Sequence, residues 1–252
     1  MGPEEAPARV RPPARPAFYA LAPGGWRDYV TLLHVPYTAW HLSYVALGAA
    51  TASTLDLVRL GASLLGFFLG VGVCAHALDE LNGRPLGTRI PRGVLWALAV
   101  VGLGGAVALG VAGALEVSLW LLPFVGFGAF IVFAYNLELF GGRFHSDAWF
   151  ALSWGAFPAL TGSFAQAGTL RAEGLLVAAG CLLLSLVQRR LSTPVRWLRR
   201  KADRVEGRVL LRDGSAAPLD EAALRRAPEA ALRALALALP VLATGLVLAR
   251  LR

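Results

Sequence analysis

Carboxylates and imidazoles gather at two places inside an otherwise apolar chain. The first reads Cys74-Ala-His-Ala-Leu-Asp-Glu-Leu-Asn-Gly-Arg-Pro-Leu-Gly-Thr-Arg-Ile90. His76 and Asp79 stand three apart, and His76 and Glu80 four apart, so on a helix they share one face. Two carboxylates at the rim of a cavity are the hard oxygen ligands that Mg²⁺ takes when it bridges protein and phosphate. Asp79 and Glu80 are therefore candidate metal ligands, with His76 beside them; a solvated helix end is the plain structural reading. The second place reads Ala134-Tyr-Asn-Leu-Glu-Leu-Phe-Gly-Gly-Arg-Phe-His-Ser-Asp-Ala-Trp149. Gly141 and Gly142 break a helix there, and Asp147 stands where the next begins, in the position of an N-cap. Arg143 and His145 would share a vestibule with Asp79 if the two segments are neighbours. Further upstream, His34 and His41 lie seven apart on a face that also holds Tyr37 and Trp40, suited to lining a cation-stabilising cavity or to anchoring at a membrane interface. Four histidines in all are too few for a histidine-rich oxygenase centre and leave room for a single metal site.

The elements that must position these groups follow from hydropathy. Of 252 residues, 56% are apolar and 16% charged, with mean hydropathy +0.58. Soluble domains carry about 25% charged residues, so an ordinary water-soluble globule is excluded. Charge-free runs long enough for a bilayer core of roughly 30 Å fall at 29–50, 60–78, 94–115, 119–137, 148–167, 174–187 and 234–249. The expectation is an all-α, polytopic transmembrane helical bundle of about seven spans. Abundant glycine within the runs fits close helix packing. Cys74 and Cys181 lie inside apolar runs and read as small buried hydrophobes, with no disulfide framework.

Charge sets the expected orientation. Net charge is +8, and 20 of the 24 Lys and Arg residues fall on one side of a seven-span arrangement. That predicts a cytoplasmic N-terminus in an integral, cell inner membrane protein. The basic side would attract anionic headgroups or a phosphorylated ligand; nucleic acid is disfavoured, because these bases flank spans and form no recognised binding module. Residues 1–27, rich in proline and arginine, are expected to form a disordered cytosolic tail before a membrane domain at 28–252. Within that domain, 188–233 reads as a basic cytosolic insertion. It begins with an arginine run that continues the sixth span, holds a small hairpin around Asp213-Gly214, and ends in a helix starting near Pro218.

The two polar segments resemble the intramembrane aromatic prenyltransferases of the UbiA superfamily. That family carries Asn-x-x-x-Asp-x-x-x-Asp at a helix end, then Arg-Pro-Leu and a nearby Ile. This chain has Ala75-His-Ala-Leu-Asp79-Glu80, then Arg84-Pro85-Leu86 and Ile90. Tyr135-Asn-Leu-Glu138, followed by the small and aromatic residues of 149–164, is similar to the family's Tyr-x-x-x-Lys loop and next span. The resemblance covers roughly 32–192. It departs from the family at Ala75, Gly83 and Glu138, in having seven expected spans against the usual nine, and where Gln188-Arg-Arg-Leu-Ser-Thr-Pro-Val-Arg196 replaces a second Asp-rich cluster.

The resemblance implies transfer of a prenyl group from an isoprenoid diphosphate to a lipophilic acceptor within membrane lipid, with Mg²⁺ as cofactor. Asp79 and Glu80 would hold the metal. Arg84 would bind diphosphate and Arg143 would also face substrate, with Arg189, Arg190 and Arg196 as replacements for the missing second cluster, since Arg clamps phosphate bidentately. Tyr135 and Trp40 would face the isoprenoid or its cation, and His76 or His145 would move a proton. Alternatives are a UbiA-type terpene cyclase, a non-catalytic lipid-binding or transport protein of the same fold, and an intramembrane metal hydrolase using His76, Asp79, Glu80, His145 and Asp147.

Overall fold

In the computed structural model, which describes residues 15–252, helices account for nearly every apolar run. α1 (Trp26–Leu32) and α2 (Val35–Ala49) are separated at His34, whose φ of 45° is left-handed. Pro36 in the first turn of α2 supplies no backbone N–H, so the helix starts afresh there and the expected 29–50 run is not one continuous helix. α3 (Leu57–Phe67), a π-helical stretch (Phe68–Ala75) and α4 (His76–Leu81) run on as a single rod, capped where Asp56 Oδ1 accepts from the Val58 and Arg59 amides at 2.8 and 3.0 Å. α5 (Arg92–Glu116) and α6 (Leu122–Asn136) follow, the latter entered by one 3₁₀ turn. α7 (Asp147–Ala151), a second π-helical stretch (Leu152–Ala156) and α8 (Phe157–Ala167) form another composite rod. Its cap is Ser146, whose Oγ accepts from the Trp149 amide at 3.3 Å, and not the expected Asp147.

α9 (Ala172–Lys201) extends the expected 174–187 span straight through the arginine run. The hairpin is present as β1 (Arg208–Leu210) paired antiparallel with β2 (Ala216–Pro218), and Gly214 takes the left-handed turn position. α10 (Glu221–Arg250) is capped by Asp220, which accepts from the Ala223 amide at 2.7 Å. Of the expected tail, residues 1–14 lie outside the described residues. Within 15–27, Ala17 and Ala20 are buried, the Leu21 amide donates to Thr31 Oγ1 at 3.0 Å, and α1 already begins at Trp26. Apolar contact with helix ends outweighs the polar composition there.

Among the described residues, five helices are long and apolar enough to cross a membrane: Leu57–Leu81, Arg92–Glu116, Leu119–Asn136, Ala172–Lys201 and Glu221–Arg250. The chain is an integral membrane, all-α bundle by that measure. The remaining long helices, α2 and the α7–α8 rod, differ physically, because protein and not lipid surrounds much of them. α2 touches α3, α8, α9 and α10, and a Cβ on Gly48 would stand 1.9 Å from Ala159 O, one on Gly162 2.2 Å from Val45 O. Only glycine lets these two backbones meet so closely. Shielded from lipid, this inner pair tolerates Thr38, His41, Ser43, Ser153, Ser163 and Gln166 as buried polar residues.

Candidate functional site

The ends of α4 and α6 are adjacent, as the paired motifs require: Asn82 Nδ2 donates to Asn136 O at 3.1 Å. The π-helical stretch below α4 is glycine-rich, and a Cβ on Gly72 would press on Thr38 Cγ2 at 3.0 Å. A wider turn leaves carbonyls less engaged in the helical ladder, where side chains reach them. His76 Nδ1 lies 3.1 Å from Gly72 O, and His41 Nδ1 lies 2.7 Å from Trp154 O in the other π-helical stretch. His145 Nδ1 similarly meets Tyr135 O at 3.0 Å. A carbonyl only accepts, so Nδ1 carries the hydrogen in all three rings and a neutral ring keeps Nε2 as its basic atom.

Around this end the rings assemble into a layer. His76 stacks on His34 with centroids 4.0 Å apart and planes 17° apart. Tyr19 covers His34 at 5.3 Å and meets Tyr37 edge-on at 5.4 Å. Tyr135 stacks on His145 at 4.4 Å and meets Trp154 edge-on at 5.7 Å. Three buried polar atoms in the bundle, His34 Nε2, Ser153 Oγ and Gln188 Oε1, have no hydrogen-bond partner among the described residues. Leaving such atoms unpaired in the interior is costly.

Asp79 belongs to this layer. Its carboxylate makes no hydrogen bond or ion pair among the described residues and lies in the opposing fields of Arg200 and Arg196 on one hand and Glu80 on the other. Burial, followed by Tyr37, pushes the Tyr19 phenol far up, so Tyr19 is a neutral donor within the fields of Arg200, Arg196 and Asp79.

Glu80 and Arg84 do something other than expected. Glu80 is 1% exposed; Oε2 accepts from the Leu86 amide at 3.1 Å, and Oε1 from the Thr88 amide and Thr88 Oγ1, both at 2.8 Å. Arg84 donates through Nη1 to Thr88 O at 2.6 Å and through Nη2 to Ile90 O at 2.9 Å. Both side chains thus fold the loop that carries Arg-Pro-Leu and Ile90, which engages both Glu80 carboxylate oxygens and two Arg84 nitrogens. Asp28, which sequence reasoning passed over, is 4% exposed and ties the same loop to α1 by accepting from the Gly24 and Arg89 amides, each at 2.9 Å. Its signal was an acidic residue in the first turn after Gly24-Gly25.

The other expected residues divide. Trp40 is fully buried, its indole bonded to the Tyr44 hydroxyl among α2, α8, α9 and α10 side chains, which is a packing role. Arg189 pairs with Asp147 at 2.8 Å and lies 5.2 Å from the Phe150 ring centroid. Arg196 borders Tyr37 and Ser192. Arg143 and Arg190 are exposed. Among the described residues no three His, Cys, Asp or Glu side chains are grouped to hold a metal ion. With Glu80 committed to its loop, Asp79 is the remaining carboxylate of the expected pair, so the donor set does not fit the Mg²⁺ site as the sequence suggested.

At the opposite end of the same helices lies an apolar cavity of about 490 Å³. Gly66, Gly70, Leu103 and Val132 line it, Trp154 closes its inner end, and Arg59 and Glu116 stand at its rim. Trp154 therefore touches both the hydrocarbon space and, through Tyr135, the polar layer. No family model, curated protein or solved structure matches this chain.

Proposed function

We propose that this protein is a seven-span membrane protein, with the Asp79 end cytoplasmic in the cell's inner membrane, that binds an isoprenoid diphosphate and transfers its prenyl group to a lipophilic acceptor. One observation carries the reading: an unpaired carboxylate, Asp79, sits among stacked histidines and tyrosines under Arg196 and Arg200, with a hydrocarbon-sized cavity beyond Trp154. Volumes of about 300–1,000 Å³ are usual for small-molecule sites.

In this arrangement Arg196 and Arg200 bind the departing diphosphate by charge-assisted bonds. As the allylic carbon–oxygen bond breaks, negative charge grows on the diphosphate beside them, and their field stabilises it. The Tyr135 ring and the Asp79 carboxylate stand on the cation side. Nε2 of His76 or His145 accepts the acceptor's proton, a role that their Nδ1 bonds prepare.

A second reading, a non-catalytic carrier of the same lipid class, is favoured by the capture of Glu80 and Arg84 in loop structure. Purified protein in nanodiscs, given farnesyl diphosphate and a panel of lipophilic phenols, separates the two. Release of diphosphate with a prenylated product supports transfer. Tight binding without release supports the carrier, and no binding rejects both.

A further inference from the structure

Resting on the reading above, we infer that residues 16–21 form a displaceable strap over the basic face, swinging about Gly24-Gly25 when the ligand's anionic head takes Arg196 and Arg200. The strap is not a helix. Its Phe18 and Tyr19 rings lie edge-on to Tyr37 at 6.0 and 5.4 Å, and Tyr19 covers His34. Arg200 Nε donates to Pro16 O at 3.4 Å, Arg199 Nη1 to Arg15 O at 3.0 Å, and the Arg233 guanidinium lies 5.0 Å from the Phe18 ring centroid. Beneath is a hollow of about 20 Å³ bordered by Tyr37, Ser192 and Arg196, room for roughly one water.

Three features make this closure reversible. Arg200 and Arg233 meet neutral groups in the strap, the Pro16 carbonyl and the Phe18 ring, whereas phosphate oxygens form bonds roughly twice as strong. Ala17 and Ala20 are buried and the Leu21 amide donates to Thr31 Oγ1 at 3.0 Å, but the segment forms no helix or strand of its own, so it opens at lower cost than the bundle. Gly24 and Gly25 have φ of 118° and 62°, and a Cβ on either would meet nothing within 4 Å. Two adjacent residues with this freedom make a hinge, and Asp28 Oδ1 fixes its base by accepting from the Gly24 amide. The closed strap therefore stands in for the ligand's head and keeps water from the histidine layer.

The test uses the full chain in nanodiscs and inorganic pyrophosphate as the probe, read by calorimetry and by hydrogen exchange of peptides covering 15–25. Pyrophosphate is expected to speed exchange at 16–21 several-fold with the same midpoint as its binding heat. The double substitution Phe18→Ala, Tyr19→Ala is expected to tighten binding about tenfold, equivalent to about 1.4 kcal/mol. Binding to that variant alone also supports the strap, as a barrier too firm for this probe. Binding that is lost in Arg196→Gln, yet leaves exchange at 16–21 unchanged, overturns the strap while the anion site stands. No binding to either the native chain or the double variant overturns the anion site, and the strap's role with it.

Discussion

The two ends of the inner helices are built on opposite principles. At the Asp79 end, around Asp79 and His34 Nε2, unpartnered among the described residues, the neighbouring groups are held by directed bonds: three imidazoles on carbonyls, Glu80 and Arg84 in one loop, Arg189 on Asp147. At the Arg59 end the defining feature is missing bulk, with glycines where side chains would otherwise fill about 490 Å³. Directed bonds fix where charge and protons go; absent side chains fix only what volume fits. Chemistry is therefore expected to respond to substitution at the first end, and occupancy at the second.

The largest effect is expected from Asp79→Asn. Turnover with a prenyl diphosphate should fall about 10²- to 10⁴-fold, with thermal unfolding unchanged, because Asp79 holds no partner in the fold. Near-native turnover would assign the chemistry elsewhere. Arg196→Gln should weaken inorganic pyrophosphate binding roughly 10- to 100-fold, measured by calorimetry, while a neutral isoprenoid alcohol is retained as before. Glu80→Ala leaves amides of the 86–88 loop unsatisfied and should cost about 1–3 kcal/mol, visible as a lower melting temperature. If it instead abolished ligand binding in the folded fraction, Glu80 would rejoin the site. The smallest effect on stability belongs to Gly66→Leu, within about 1 kcal/mol, since a Cβ there meets only Leu109 Cβ at 3.9 Å. Native mass spectrometry should show that this variant loses a hydrocarbon occupant without losing affinity for pyrophosphate.

Much of the frame was legible because lipid exposure writes itself as hydropathy: the rods Leu57–Leu81 and Arg92–Glu116 contain the runs expected at 60–78 and 94–115. The hairpin was legible from Asp213-Gly214, whereas the adjacency of the two polar segments was only a condition, met where Asn82 donates to Asn136 O. The inner pair was less so. α2 and α8 meet protein on most sides, so their residues report neighbours that lie far away in sequence, and the break at His34 depends on local φ. The roles of Asp79 and Glu80 illustrate the same limit. They are consecutive, about 100° apart around a helix, and only the path of the 82–90 loop decides which carboxylate it captures. Trp40 likewise read as a cavity residue, because an aromatic on a polar face looks the same whether it faces a hollow or the Tyr44 hydroxyl.

The π-helical stretches at Phe68–Ala75 and Leu152–Ala156 give the two composite rods some slack. A wide turn takes up one surplus residue locally, so an insertion or deletion there can be absorbed while the flanking segments keep their azimuth. A change of length at either stretch would therefore leave the carboxylate and rings that these rods present aimed as they are, whereas in a uniformly wound helix such as α5 it would rotate everything beyond it.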